Sequence, residues 1–237
     1  MIQCALFDLG ATLLLHTPDL AETILGLCRE FASSIELTDV HRACAHAEEW
    51  IGAQASRELH TGVRMGKDEF LSGIADAYVA SLGLPGDAAL HAGIMRAVRE
   101  EWASDWALRD GALDVLSALR DAGVRMGVVS NNSAAVVEHL QRLGIKDYFE
   151  DFVISDEVGV AKPDPRILQL ACQRLGIPAT DAVYIGDHPF DIVCAHAAGM
   201  PIVWCPANEF VTLPESVGKP EHTALDFRSI PTLLLGK

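Results

Sequence analysis

The sequence predicts a doubly wound α/β fold, with a parallel sheet covered by helices on both faces and an all-helical insertion after the first strand. Three observations carry this. Short apolar runs without polar alternation recur at 2–7, 125–129, 152–155, 182–186 and 201–205, the pattern of strands buried on both faces. Helix-length segments with their own start and stop signals separate the last four runs, and strand-helix repetition of this kind builds a parallel sheet. From about residue 16 to 104 the apolar period is helical throughout.

The elements follow in order. The first strand, 2–7, ends at Asp8, a single charge in the run "CALFDLGATLLLH". Four helices come next by period, at 20–32, 38–58, 68–82 and 87–101. The α/β pattern resumes near Leu108. Asp110 is placed to cap a helix through Leu113, Leu116 and Leu119, with Gly123 as its stop. Ser133 is placed to cap a second, with Val136, Val137, Leu140 and Leu143 inward and Gly144 at its end. Asp164-Pro165 opens a third that stops at Gly176, and a fourth runs from about 189 to 199. Residues 208–222 read as an irregular loop, and "ALDFRSIPTLLL" as a short strand and a closing helix. The division expected is therefore a core of 1–15 and 105–237 around an insertion of 16–104.

Composition narrows the partners. Half of the 237 residues are hydrophobic, enough for a sizeable core, and the formal net charge is -15. Such a field repels nucleic acid and acidic membranes. A compact anionic substrate requires a metal or a local positive pocket. Six cysteines, at 4, 28, 44, 172, 194 and 205, form no CxxC pair and sit in apolar stretches, which predicts reduced thiols and a cytoplasmic protein. The N-terminal run has no basic segment and is broken by Asp8, so no signal peptide is expected. No apolar run approaches the roughly 18 residues of a membrane span.

Ligands of open parallel sheets bind beyond the carboxyl ends of the strands. Four polar signals fall there. Asp8 ends the first strand, Ser130 in "VVSNNS" the second, and Lys162 in "VGVAKPDP" follows the third, while Asp187 and Asp191 in "IGDHPFD" follow the fourth. An acid, a hydroxyl, a lysine and an acidic pair on one rim outline a site for phosphate and a hard cation.

This set resembles the haloacid dehalogenase superfamily: "FDLGAT", "SNN", "KPDP" and "GDHPFD" stand in the order of its four motifs and cover most of the chain. The resemblance implies a Rossmann-like core and a helical cap of the C1 type, whose residues would set specificity. It implies a magnesium-dependent phosphohydrolase acting on a small phosphorylated metabolite. Asp8 would be the nucleophile that becomes an aspartyl-phosphate. Ser130, Asn131 and nearby backbone N–H groups would hold the phosphoryl oxygens, and Lys162 would neutralise their charge. Asp8, Asp187 and the carbonyl of Gly10 would bind Mg²⁺, with Asp191 a further ligand or a residue that orients a bound water.

One position departs from the pattern. The phosphatase form of the first motif is DxDxT, and here it reads Asp8-Leu9-Gly10-Ala11-Thr12. The second acid, which protonates the leaving group and activates water, is replaced by Gly10, a residue that adds backbone freedom to the turn. The deficit is general acid/base catalysis, typically about 10² to 10⁴-fold in rate. His16 and His188 are the nearest replacements. Two other readings follow: a halide-releasing enzyme in which Asp8 attacks carbon, and a phosphate-ligand-binding protein with impaired turnover. Lys67 reads as a surface residue at a helix start, and Trp50, Trp102 and Trp106 as packing residues.

Overall fold

The computed structural model describes residues 2–17, 20–84, 86–101, 105–206, 211–213 and 215–236. In chain order the strands and helices are β1 (Cys4–Phe7), β2 (Leu14–Thr17), α1 (Leu20–Arg29), α2 (Leu37–Thr61), α3 (Lys67–Ser81), α4 (Ala88–Glu101), β3 (Asp105–Leu108) and α5 (Ala112–Asp121). There follow β4 (Arg125–Ser130), α6 (Ala135–Arg142), β5 (Asp151–Ile154), α7 (Ser155–Val158), α8 (Arg166–Leu175), β6 (Ala182–Gly186), α9 (Pro189–Ala197), β7 (Ile202–Trp204), β8 (His222–Thr223) and α10 (Ile230–Leu235). The chain divides into two compact units. One comprises Met1–Leu15, Ala107–Ala207 and Gly218–Lys237, the other His16–Trp106 and Asn208–Val217.

The first unit is built on a six-stranded sheet in the order β5-β4-β1-β6-β7-β8, with every pairing parallel. β1 lies between β4 and β6, and the strand order reverses beside it, which is where doubly wound sheets open a crevice for ligands. Register brings the strand ends level: Phe7 pairs with Val128 on one side and Ile185 on the other. Asp8, Ser130 and Asp187 therefore leave the same rim. The strands are apolar because both faces are covered. Leu6, Phe7, Val129, Ile185 and Val203 are fully buried. Gly127 is needed in β4, because a Cβ there would come within 2.9 Å of Leu6 Cδ2.

The second unit is helical. α2 opens on a capping box between Glu36 and Asp39 and ends at Gly62 in the left-handed region, φ 67°. α3 packs Phe70 against Trp50 of α2, ring centroids 5.4 Å apart. Trp50 is thus a packing residue, and Lys67 is exposed at the first position of α3. Trp102 lies outside the described residues, as does the side chain of His16.

Several local expectations are corrected. Asp110 does not cap α5. The N-cap is Gly111 at φ 80°, and Asp110 instead accepts from Arg228 Nη2 at 2.7 Å. Ser133 does not cap α6, which starts two residues later after Ala134, and the Ser133 N–H donates to the Asn132 side chain. The Asp164 carboxylate does serve the start of α8, accepting from Arg166 N at 3.0 Å. β2 and β3 pair as a two-stranded sheet in a stretch where no strand was expected. Residues 208–217, expected in the core, group with the helical unit.

Candidate active site

The site grows from the end of β1. The Asp8 N–H donates to Ile185 O at 2.9 Å, so the sheet pairing runs one residue beyond the strand and pins the Asp8 backbone. The chain then turns tightly, with Leu9 O accepting from the N–H groups of Thr12, Leu13 and Leu14. Within this turn Ala11, not Gly10, holds the positive φ, 51°. Arg109 Nη1 donates to Ala11 O at 3.0 Å and braces the turn from the chain entering α5. Thr12, fully buried, donates through Oγ1 to Asp187 Oδ1 at 2.5 Å, which ties the first motif to the fourth.

Lys162 is aimed by two devices. The Asn131 side-chain amide bonds both edges of its peptide: Nδ2 donates to Lys162 O at 3.0 Å, and Oδ1 accepts from Lys162 N at 2.8 Å. The side chain then runs into the core, where the ammonium lies 2.8 Å from Asp8 Oδ1, 2.6 Å from Asp191 Oδ1 and 3.0 Å from the Tyr184 hydroxyl. Asp191 sits on the first turn of α9. Its Oδ2 accepts from His188 N at 2.9 Å, while Phe190 N donates to His188 Nδ1 at 3.1 Å, a capping box that locks the acid in place. Gly186 makes room for it: a Cβ there would lie 2.5 Å from Asp191 Cγ. Trp204 Nε1 donates to the Asp187 carbonyl at 2.8 Å and fixes that peptide.

Charge explains the arrangement. Burial pushes the Asp8 carboxyl above its ordinary pKa, opposed chiefly by the Lys162 ammonium. Burial works against the ammonium too, but Asp191 and Asp8 outweigh it and hold Lys162 above the usual lysine value. His188 is pushed down to about 4, first by burial and then by Lys162. Its imidazole is therefore neutral near pH 7, and because Nδ1 accepts from Phe190 N the proton sits on Nε2. The structure gives His188 the role of a helix cap.

The carboxylates of Asp8, Asp187 and Asp191 each present an oxygen within 4.8 Å of the others. Three ionised acids and one ammonium leave two negative charges, which one divalent cation would neutralise. Hard oxygen donors suit Mg²⁺. Both oxygens of Asp191 already accept hydrogen bonds, from Lys162 and His188 N, so it fits best as the acid that anchors Lys162, with Asp8 and Asp187 as the inner donors.

The structure thus brings Asp8, Lys162, Asp187 and Asp191 together, with Ser130, buried, at the end of β4 and Gly10 in the turn after Asp8. Sequence reasoning assigned no part to Thr12, Arg109, Tyr184 or Trp204. Two of them left a signal there: Thr12 is the threonine of the first motif, and Tyr184 is a hydroxyl in the middle of the apolar strand "AVYIG".

A family model described as haloacid dehalogenase-like hydrolase matches residues 2–199. The chain is 43% identical over 90 residues to glyceraldehyde 3-phosphate phosphatase of Methanopyrus kandleri, a match to 37% of this chain and 39% of that protein. It is 31% identical over 199 residues to N-acetylmuramic acid 6-phosphate phosphatase of Pseudomonas aeruginosa, covering 84% of this chain and 79% of the relative. Among solved structures, L-2-haloacid dehalogenase from Xanthobacter autotrophicus with chloropropionic acid covalently bound superimposes with a TM-score of 0.59 at 17% identity, over 100% of this chain and 99% of that one. That last likeness is one of fold.

Proposed function

Because this chain belongs to the haloacid dehalogenase-like hydrolases, we propose that it is a Mg²⁺-dependent phosphatase of a small phosphorylated metabolite, with Asp8 as its nucleophile. The observation that carries this reading is Asp8 held at 2.8 Å from Lys162 within a cluster of three carboxylates. A site that needs a cation and a lysine to hold its acids together suits a substrate that brings further negative charge. Names of two relatives, a glyceraldehyde 3-phosphate phosphatase and an N-acetylmuramic acid 6-phosphate phosphatase, support the small phosphorylated substrate. Six free cysteines, five of them buried, support a cytoplasmic setting.

In this reading an Asp8 oxygen bonds to phosphorus as the ester P–O bond breaks, and the leaving oxygen takes a proton from water. Ser130, the main-chain N–H of Asn131 and the Lys162 ammonium hold the phosphoryl oxygens. Water then attacks the phosphorus, the bond to Asp8 breaks, and inorganic phosphate leaves. Mg²⁺, held by Asp8, Asp187 and the Gly10 carbonyl with Asp191 behind them, would supply charge neutralisation. No carboxylate stands at position 10 to serve as acid or base, so turnover of esters with poor leaving groups is slow.

Gly10 also favours a second reading, halide release by attack of Asp8 on carbon, a reaction with no phosphate leaving oxygen to protonate. One assay separates the two. Phosphate release from metabolite phosphates and an activated aryl phosphate is measured with Mg²⁺ or EDTA, in wild type and Asp8→Asn. Mg²⁺-dependent release that disappears in Asp8→Asn is expected. Halide release from 2-haloacids that persists in EDTA, without phosphate release, would replace the phosphatase reading with dehalogenation.

A further inference from the structure

Tyr184 is a buried phenol to which the reaction above assigns no task. It lies in β6, and its hydroxyl makes two hydrogen bonds, to Val129 O at 2.8 Å and with Lys162 Nζ at 3.0 Å. The direction of both bonds is settled by chemistry. A carbonyl oxygen only accepts, so the single hydroxyl proton goes to Val129. The phenol oxygen then faces Lys162 with lone pairs, and the ammonium must donate to it. An ammonium has three protons. Here two of them go to Asp191 Oδ1 and Tyr184 Oη, while Asp8 Oδ1 faces the nitrogen at 2.8 Å as an ion pair without a hydrogen bond, and the nitrogen is buried with Lys162 only 3% exposed.

We propose that Tyr184 is a positioning residue, which with Asp191 occupies two N–H groups of the Lys162 ammonium and so holds its charge beside the nucleophilic carboxylate of Asp8, with the third N–H left for a phosphoryl oxygen. The proposal rests on the phosphatase reading for its consequence in catalysis, but not for the geometry of the ammonium. Val129 immediately precedes Ser130, so the same hydroxyl links the strand that presents Ser130 to the lysine that faces Asp8. Asn131 holds the lysine's peptide while Tyr184 holds its charged end. Without the hydroxyl, one N–H of a buried ammonium loses its acceptor. The ammonium then turns toward whichever carboxylate offers a second lone pair, and Asp191, at 2.6 Å, is the closer of the two.

The test compares wild type with Tyr184→Phe, which removes only the hydroxyl. Two readouts are taken. The first is steady-state hydrolysis of an aryl phosphate with Mg²⁺, corrected for folded protein. A hydrogen bond to a charged group is worth enough that kcat is expected to fall about tenfold to a hundredfold, with KM within about twofold. The second is the ¹H–¹⁵N signal of the Lys162 ammonium, identified by its loss in Lys162→Met. In wild type it is expected to exchange slowly with water, and in Tyr184→Phe at least about tenfold faster, because one proton is freed. A kcat within twofold of wild type, or equal ammonium exchange in the two proteins, overturns the proposal. If wild type hydrolyses no phosphate ester, the phosphatase reading fails and the ammonium signal alone decides the positioning role. If Tyr184→Phe does not fold, the wild-type signal decides: slow exchange supports the anchored ammonium, and fast exchange with solvent overturns it.

Discussion

At the scale of single residues, the turn after Asp8 is the most informative stretch of the chain. Ala11 adopts φ 51° there, a left-handed conformation costly for a residue with a Cβ, while Gly10 beside it does not. The DxDxT motif that the chain resembles puts an acid at position 10, where Gly10 stands here. Glycine sits where any residue is allowed, and alanine sits where glycine would relieve strain. Arg109, bonded to Ala11 O, helps to keep the turn in place despite that cost. Because Gly10 has no need of a positive φ, an acid is compatible with its backbone. Gly10→Asp is therefore expected to fold and to raise kcat at least about tenfold on alkyl phosphates, out of the 10² to 10⁴ that general acid catalysis typically supplies. The gain on an activated aryl phosphate should be much smaller, because its leaving group needs no proton. Kinetics of the two esters side by side check this. Equal effects on both would mean that proton transfer is not the missing function.

At the scale of elements, periodicity carried most of the information. All four helices of the insertion were legible from their apolar spacing. So were the five longer strands of the sheet, because buried parallel strands write uninterrupted apolar runs. The ends were less legible. Asp110 and Ser133 have the right chemistry for caps, but Arg228 claims the first carboxylate and α6 begins two residues beyond the serine. β2 and β3, "LLHT" and "DWAL", carry polar residues within four positions, so no uninterrupted apolar run marks them. Of the site, the charged members could be read because Asp8 and Asp187 directly follow apolar strands and Lys162 and Asp191 fall in the loop and helix start beyond them, in motifs of fixed order. The roles of Tyr184 and Thr12 could not, although both residues left a mark in the sequence, since a hydroxyl acquires its role only from a partner more than 20 residues distant in sequence, Lys162 for one and Asp187 for the other. Trp50 and Gly73 show the same dependence on partners. A Cβ on Gly73 of α3 would lie 2.8 Å from Trp50 Cε2 and strike the outer ring of the indole. Gly26 of α1 has open space there. Propensity alone favours Ala over Gly in a helix by about 0.8–1 kcal/mol. Gly26→Ala is thus expected to stabilise the protein by up to about that amount, whereas Gly73→Ala overpacks the α2–α3 contact and should cost about 1–3 kcal/mol. Denaturant unfolding of the two variants checks the contrast, and stabilisation by both would show that Trp50 yields without cost.

At the scale of the molecule, the acids outnumber the bases by 33 to 18, so any cation screens the surface and gives some stabilisation. A bound Mg²⁺ should act differently from screening, because it would bind the folded site and not the unfolded chain. At a concentration one hundred times its dissociation constant, such a ligand contributes about 2.7 kcal/mol. For a chain of this size that corresponds to a rise in Tm of roughly 5–10 °C. The rise belongs to the unit that carries Asp8, Asp187 and Asp191, so a two-step unfolding curve should shift in one step only. Asp187→Asn separates the two effects. It removes one charge from a cluster of three carboxylates around one ammonium, so without metal the variant should be no more repelled internally than wild type, and its Tm should hold or rise if the Thr12 hydroxyl keeps a partner in the amide oxygen. With Mg²⁺ it should gain no more than it gains from NaCl at matched ionic strength. Scanning calorimetry on both proteins, with MgCl₂ and with NaCl, gives the comparison. Equal Mg²⁺ shifts in wild type and Asp187→Asn would mean that the acids at this rim are charge partners for Lys162 and hold no cation.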